Sequence, residues 1–269
     1  MGSVREALAS AGDALAAIGV EDPRLDAEVL LAATTGWDRA RLAADSTAEI
    51  PPSAARAFGE AVRRRLRREP VAYIVGRKGF RHIDLAVDRR VLVPRPETEL
   101  LVELALERAP QTLLDVGTGS GAIALAVADE LPGCEVTAID TSAAALEVAR
   151  ANAARLGLAE RVTFLDGTVP VEGAFDLTLA NLPYIAEPDW RSLQPEVTEW
   201  EPREALLAGA DGLDAIRVVV PAVGPGTLAL EIGEGQAPAV AAILEEAGFG
   251  SIEARPDLAG IERVVIGSR

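Results

Sequence analysis

The spacing of apolar positions changes character twice along the chain. Val4, Leu8, Ala11, Leu15 and Ile18 recur at three- and four-residue intervals, which predicts an amphipathic helix that Gly19 ends. A second helix is predicted from Asp22 and Pro23, an N-cap and first-position pair, with Leu25, Val29 and Ala32 on one face. A third, short helix starts near Trp37, and a fourth runs from Pro51 or Pro52 to Glu69 with Phe58, Val62 and Leu66 as its stripe. Pro70 stops it, because the residue before a proline avoids helical angles. Residues 1–70 thus read as a small all-helical domain. Over residues 71–93 the period falls to two, with Ile83, Leu85 and Val87 alternating with polar residues, which predicts a linking strand pair. Residues 94–269 then open on a helix at Pro96 and, after residue 110, alternate strand with helix. TLLDV, EVTAID, RVTFL, FDLTLAN, GTLALEIG and ERVVIG are the predicted strands. Such alternation specifies an α/β domain, a mostly parallel sheet with helices on both faces.

Composition narrows the partners. The 269 residues carry 26 Lys and Arg against 42 Asp and Glu, a formal charge of −16. That surface repels phosphate backbones, so no direct nucleic-acid substrate is expected, while a cationic small ligand suits it. Cys134 and His82 are the sole residues of their kinds, which leaves no material for a disulfide framework, a Cys-rich zinc site or a multi-histidine metal site; no metal is expected. The run RRRLRR at residues 63–68 reads first as a solvated helix end, with a patch for an acidic partner as the alternative. Charges at Arg5 and Glu6 argue against a signal peptide, and no stretch approaches the roughly 20 apolar residues of a membrane helix, so a cytoplasmic protein is expected.

Chemistry enters at LLDVGTGSG. Asp115 ends a strand and Gly117, Gly119 and Gly121 follow at alternate positions, with Thr118 and Ser120 between them. Glycines let the backbone turn sharply and approach a ligand, and the helix that starts there offers free N–H groups. The spacing differs from the G-x-G-x-x-G of dinucleotide enzymes. Asp115 beside a phosphate would be unfavourable but beside an ammonium it is useful. Asp140 ends the next strand, where an acid bonds the two hydroxyls of a ribose. An ammonium site and a ribose site without a phosphate site describe S-adenosylmethionine better than a nicotinamide dinucleotide.

The fourth strand of that domain runs into Asn181, Leu182, Pro183 and Tyr184 and should deliver them beside the glycine loop. The Asn181 side-chain oxygen and the Leu182 carbonyl form an acceptor pair able to hold both hydrogens of a planar –NH2 group, and Tyr184 offers a face for stacking. A conjugated amino nitrogen is a poor nucleophile, and bonds that strengthen as it pyramidalises favour methyl transfer to it.

These segments resemble the HemK/PrmC family of protein-glutamine methyltransferases. The likeness runs in order through EPVAYIVG, VLVPRPETELLVE, LLDVGTGSGAIALAVA, NLPYI, EPREALLAGADGLDAIR, LALEIGEGQ and DLAGIERVV. The resemblance implies a Rossmann-like S-adenosylmethionine-dependent methyltransferase domain, S-adenosylhomocysteine as by-product, and an N-terminal helical domain that helps dock the substrate. That substrate would be a class I peptide chain release factor, modified on the glutamine of its Gly-Gly-Gln loop. Gly117 to Gly121 and Asp140 match the family's cofactor positions, Asn181 to Tyr184 its substrate motif, and Phe80 an aromatic near the cofactor. Leu182 stands where the family has a first proline, and Thr168 and Val169 fall at the adenine-proximal positions by spacing, with Asp166 two places earlier. An RNA or DNA adenine N6-methyltransferase, for which NLPY is also a known form, and a non-catalytic cofactor-binding module stay open as alternatives.

Overall fold

The computed structural model describes residues 2–269 and divides into two compact units, one reaching to Gly76 and including Gln194–Trp200, the other comprising Arg77–Leu193 and Glu201–Arg269. The first unit is helical: α1 (Val4–Ala17), α2 (Pro23–Thr35), α3 (Arg39–Ala44), α4 (Pro52–Arg65) and α5 (Val71–Val75). A capping box starts α1, with the Ser3 hydroxyl accepting from Glu6 N and the Glu6 carboxylate accepting from Ser3 N. Leu15, Leu30, Leu31, Leu42 and Phe58 form the centre of its core.

Two expectations about this unit are corrected. VAYIV is helical, not the start of a strand pair. Its β-branched residues suit a strand locally, but Pro70 opens a turn, Gly76 closes it with φ +76°, and Val71, Ile74 and Val75 pack on the helical core. The arginine run is a solvated helix end only in part: Arg63 and Arg67 are exposed, and the other three are drawn into ion pairs. Arg65 is buried, 2.6 Å from both Asp26 and Glu196, while Arg68 lies 2.7 Å from Glu196. Arg64 pairs with Glu69. These bonds hold residues 194–200 in the helical unit, as does the Trp200 indole N–H donated to the Arg67 carbonyl.

The second unit begins with the antiparallel hairpin β1 (Arg77–Phe80) and β2 (Ile83–Ala86), followed by α6 (Glu99–Arg108) after a single 3-10 turn, Pro96–Thr98. Then come β3 (Thr112–Val116), α7 (Ala122–Glu130), β4 (Glu135–Asp140), α8 (Ala143–Leu156), β5 (Val162–Asp166) and β6 (Leu177–Ala180). Helix α9 (Pro195–Trp200) belongs to the helical unit; α10 (Asp214–Ala222), β7 (Thr227–Glu231), α11 (Ala237–Glu246), β8 (Gly250–Pro256) and β9 (Glu262–Ser268) complete this one. The seven-stranded sheet has the order β5-β4-β3-β6-β7-β9-β8, parallel except where β9 pairs with its two neighbours. Strand β8 was not expected, since both its faces are largely exposed and give no apolar alternation. No helix among the described residues is long and apolar enough to cross a membrane.

Candidate active site

Register brings the chemistry together. Val116 of β3 lies level with Ile139 of β4 and Ala180 of β6, so the next residues, Gly117, Asp140 and Asn181, emerge at one edge of the sheet. There they border a cavity of about 500 Å³, within the range that encloses small cofactors. The Gly117 and Thr118 amides donate to the Ile139 carbonyl, which bends the loop across the tip of β4. Gly121 must be glycine: its φ is +85°, and an added Cβ would stand 2.8 Å from Leu125 Cδ1.

Asp140 is held ready. Its Oδ2 accepts from Gly119 N and its Oδ1 from Ser142 N, both at 2.8 Å, which orients the carboxylate at the cavity wall. Ser142 also caps α8 by accepting from Ala145 N. Thr118, Ser120, Thr168, Leu182 and Pro183 line the same cavity. A partly exposed carboxylate, a close-approaching glycine loop and apolar walls such as Leu92, Ala145 and Val219 suit the ribose, the amino-acid tail and the adenine of S-adenosylmethionine.

Other expected site residues lie elsewhere. Asp115, expected beside an ammonium, is fully buried beneath the loop and absent from the cavity lining. Its Oδ2 accepts from Thr118 Oγ1 at 2.7 Å and Ala124 N at 3.2 Å, so it braces the turn, while Oδ1 has no partner. Burial pushes its carboxyl up to about 7. Phe80 and Val169 are buried core residues that do not border the cavity; Val169 joins the cluster of Leu213, Val219 and Ile232. Gly121 packs against Leu125 and Ala149 instead. Tyr184, expected to offer a stacking face, is outside the lining too, because its hydroxyl turns to Glu231 Oε1 at 3.4 Å. His82 is an exposed residue between β1 and β2, 3.7 Å from Glu130.

The structure adds residues that sequence reasoning missed. Asn181 donates Nδ2 to Thr98 Oγ1 at 2.9 Å, and among the described residues nothing donates to its Oδ1. Near them Glu231 is a buried acid pushed up to about 7 mainly by desolvation, with Oε2 unpartnered. The backbone after the motif is laced from three sides. Ile185 N donates to the Leu206 carbonyl and Ala208 N to that of Ile185, while Gln236 Nε2 donates to the Tyr184 carbonyl at 2.9 Å. Arg95, at the cavity, pairs with the buried Glu201, which also accepts from Val93 N. The available signals were the dense VPRPETE, EPREALLAGADG and EIGEGQ segments, but their contacts cross long stretches of chain.

A mostly parallel sheet whose tips gather a glycine loop, a strand-end acid and an Asn-Leu-Pro-Tyr turn defines a Rossmann-like, S-adenosylmethionine-dependent methyltransferase. Residues 6–76 match the PrmC N-terminal domain and residues 96–194 the methyltransferase small domain. The release factor glutamine methyltransferase of Moorella thermoacetica is 43% identical over 99% of this chain and 99% of its own length. That of Geobacter sulfurreducens is also 43% identical, over 94% and 92% of the two chains, and that of Cereibacter sphaeroides is 44% identical over 97% and 96%. The chain belongs to the release factor glutamine methyltransferase family. Among solved structures, the hMettl16 catalytic domain in complex with a MAT2A 3′UTR hairpin shares the fold at 14% identity, with a TM-score of 0.56 over 68% of this chain and 75% of that one. A methyltransferase from Pyrococcus furiosus does so at 18% identity, with a TM-score of 0.50 over 69% and 88%.

Proposed function

We propose that this chain methylates the side-chain amide nitrogen of the glutamine in the Gly-Gly-Gln loop of class I peptide chain release factors. The pinned Asn181 amide carries the reading: with Nδ2 engaged by Thr98, the cavity receives an acceptor oxygen. S-adenosylmethionine, when bound, supplies a methyl carbon made electrophilic by its positive sulfur. The chain itself holds the acceptor. Asn181 Oδ1 and the Leu182 carbonyl each accept one N–H of the glutamine amide, and both bonds strengthen as that nitrogen gains positive charge. Pro183 keeps Leu182 extended, so the second acceptor stays in place although the family's first proline is missing. Asp140 and the glycine loop hold the donor, which makes the encounter effectively intramolecular. The N-methylated product is strongly acidic until it sheds its proton to water, so no histidine is needed.

The helical unit helps dock the release factor, and the cytoplasm is the compartment for the reaction. Adenine in RNA or DNA presents a similar nitrogen, but a net charge of −16 opposes the phosphates around it. The test is incubation with methyl-labelled cofactor and a purified release factor, beside the Gln-to-Glu variant of its Gly-Gly-Gln loop. Label is expected on the glutamine form alone. Label on both forms, or on neither, refutes the assignment. A non-catalytic module predicts that Asn181→Ala changes nothing; the present reading predicts lost transfer with cofactor binding retained.

A further inference from the structure

Helix α8 buries one face, on which Leu146, Ala149 and Ala153 are apolar and Asn152 is not. Asn152 is 0% exposed, and an amide so placed must find partners, because burying a polar group without hydrogen bonds is costly. Its partners are main-chain groups of two segments distant in sequence. Oδ1 accepts from Ala86 N at 2.7 Å, while Nδ2 donates to the Ala86 carbonyl at 3.0 Å and to the Ser120 carbonyl at 2.9 Å. Main-chain polarity admits only this orientation, since a turned-over amide would face a donor with a donor and two acceptors with an acceptor.

Each segment supplies part of the cavity wall. Ser120 belongs to the glycine loop, and Ala86 ends β2, from which the chain runs on to the lining residues Arg90, Val91, Leu92, Pro94 and Arg95. Asn152 itself is outside the lining. Strand β2 pairs only with β1, so its other edge has no strand beside it. The two bonds from Asn152 to Ala86 are those that a neighbouring antiparallel strand would make, and the third passes from that edge to the glycine loop. Arg155, in the same helix, donates to the Asp84 carbonyl and to Asn152 Oδ1, and so reaches the hairpin but not the loop.

We propose that Asn152 is a positioning residue of the cofactor site: it fastens the glycine loop to the segment that leaves the hairpin and so fixes the slot between them. The inference rests on the reading of the cavity as the cofactor site, and not on which nitrogen receives the methyl group. Without the amide, one N–H and two carbonyls lose a partner together. They regain hydrogen bonds only by admitting water, which parts the two segments. Gly119 and Ser120 then meet the ligand from a displaced loop, and affinity falls although no ligand contact has been deleted.

Four variants of the full chain, Asn152→Leu, Asn152→Ala, Arg155→Ala and Asp140→Ala, test this. The readouts are the dissociation constant of S-adenosylhomocysteine by calorimetry, KM for S-adenosylmethionine and for a release factor, and the melting temperature. Calorimetry is run well below each melting transition, where nearly all the chain is folded and a side chain that serves stability alone leaves the constant unchanged. Asn152→Leu and Asn152→Ala should each raise the dissociation constant and the cofactor KM by about tenfold, the scale of one buried hydrogen bond left unmade. The release-factor KM should stay within about threefold of the parent. Arg155→Ala loosens the hairpin without touching Ser120, so its dissociation constant should stay within about twofold. Asn152 variants that bind the cofactor as the parent does would overturn the proposal, as would Arg155→Ala binding as weakly as they do. Should Asn152→Leu yield no folded protein, Asn152→Ala decides by the same measure. Asp140→Ala separates the two failures: if it too binds like the parent, the cavity is not the cofactor's, and if it binds weakly while the Asn152 variants do not, only the role of Asn152 is wrong.

Discussion

Gly212→Ala should damage methyl transfer from a position outside the cavity lining. Gly212 has φ +77°, and an added Cβ would lie 2.2 Å from the Tyr184 carbonyl oxygen, 3.0 Å from its carbon and 2.9 Å from Gln236 Nε2. Placing alanine in the left-handed region costs about 1–2 kcal/mol. The Tyr184 oxygen is backbone and cannot rotate away, so the turn or the substrate motif must move by about 1 Å to reach ordinary contact. That shift also breaks the Gln236–Tyr184 bond, which contributes about 0.5–1.5 kcal/mol. Together the terms give a destabilisation of about 3 kcal/mol. A displacement of that size in the loop that holds the acceptor is expected to lower kcat/KM by about 100-fold. Asp140 and the glycine loop are untouched, so cofactor affinity should hold. The assay is labelled-methyl transfer to a release factor beside cofactor calorimetry and urea unfolding. Transfer within about twofold of the parent, or equal losses of cofactor affinity and turnover, would refute the claim that this turn exists to seat the Asn-Leu-Pro-Tyr loop.

Three further outcomes are expected. Asp140→Ala removes the acceptor of Gly119 N and Ser142 N and the proposed ribose ligand, so the cofactor dissociation constant should rise by about 10- to 100-fold; an unchanged calorimetric constant contradicts the assignment. Asp115 and Glu231 are both raised by burial to about 7, so the folded chain binds protons that the unfolded chain has released. Their contribution is complete below about pH 4 and is lost as pH rises through about 7, a fall of about 3 kcal/mol per group that urea midpoints of cofactor-free protein should show between pH 5 and 8. Glu231→Leu should flatten that slope, and a midpoint that climbs over the interval would contradict it. Gly12, inside α1 with nothing within 4 Å of an added Cβ, should gain about 0.5–1 kcal/mol on replacement by alanine, read as a higher urea midpoint of the helical unit.

Much of this molecule is legible residue by residue. The strands at 112–116, 135–140 and 227–231 announce themselves as short apolar runs, and Pro23, Pro52, Gly36 and Gly157 bound their helices by backbone preference alone. The glycine loop and Asp140 are equally readable, because their geometry depends on neighbours a few positions away. These features are local, and local sterics and periodicity suffice for them.

Tertiary structure decided the remainder. VAYIV became a helix because a helical core offered more burial than a strand edge, and β8 formed because β9 supplied partners to a segment without apolar alternation. Arg65 turned inward because Asp26 and Glu196, from distant parts of the chain, were there to meet it. Asp115 lost its expected ligand because the loop folded over it. Most telling is the direction of the Asn181 amide. It depends on Thr98, 83 residues earlier, and no spacing rule relates the two. A hydrogen bond's polarity belongs to a closed network, and only folding closes it.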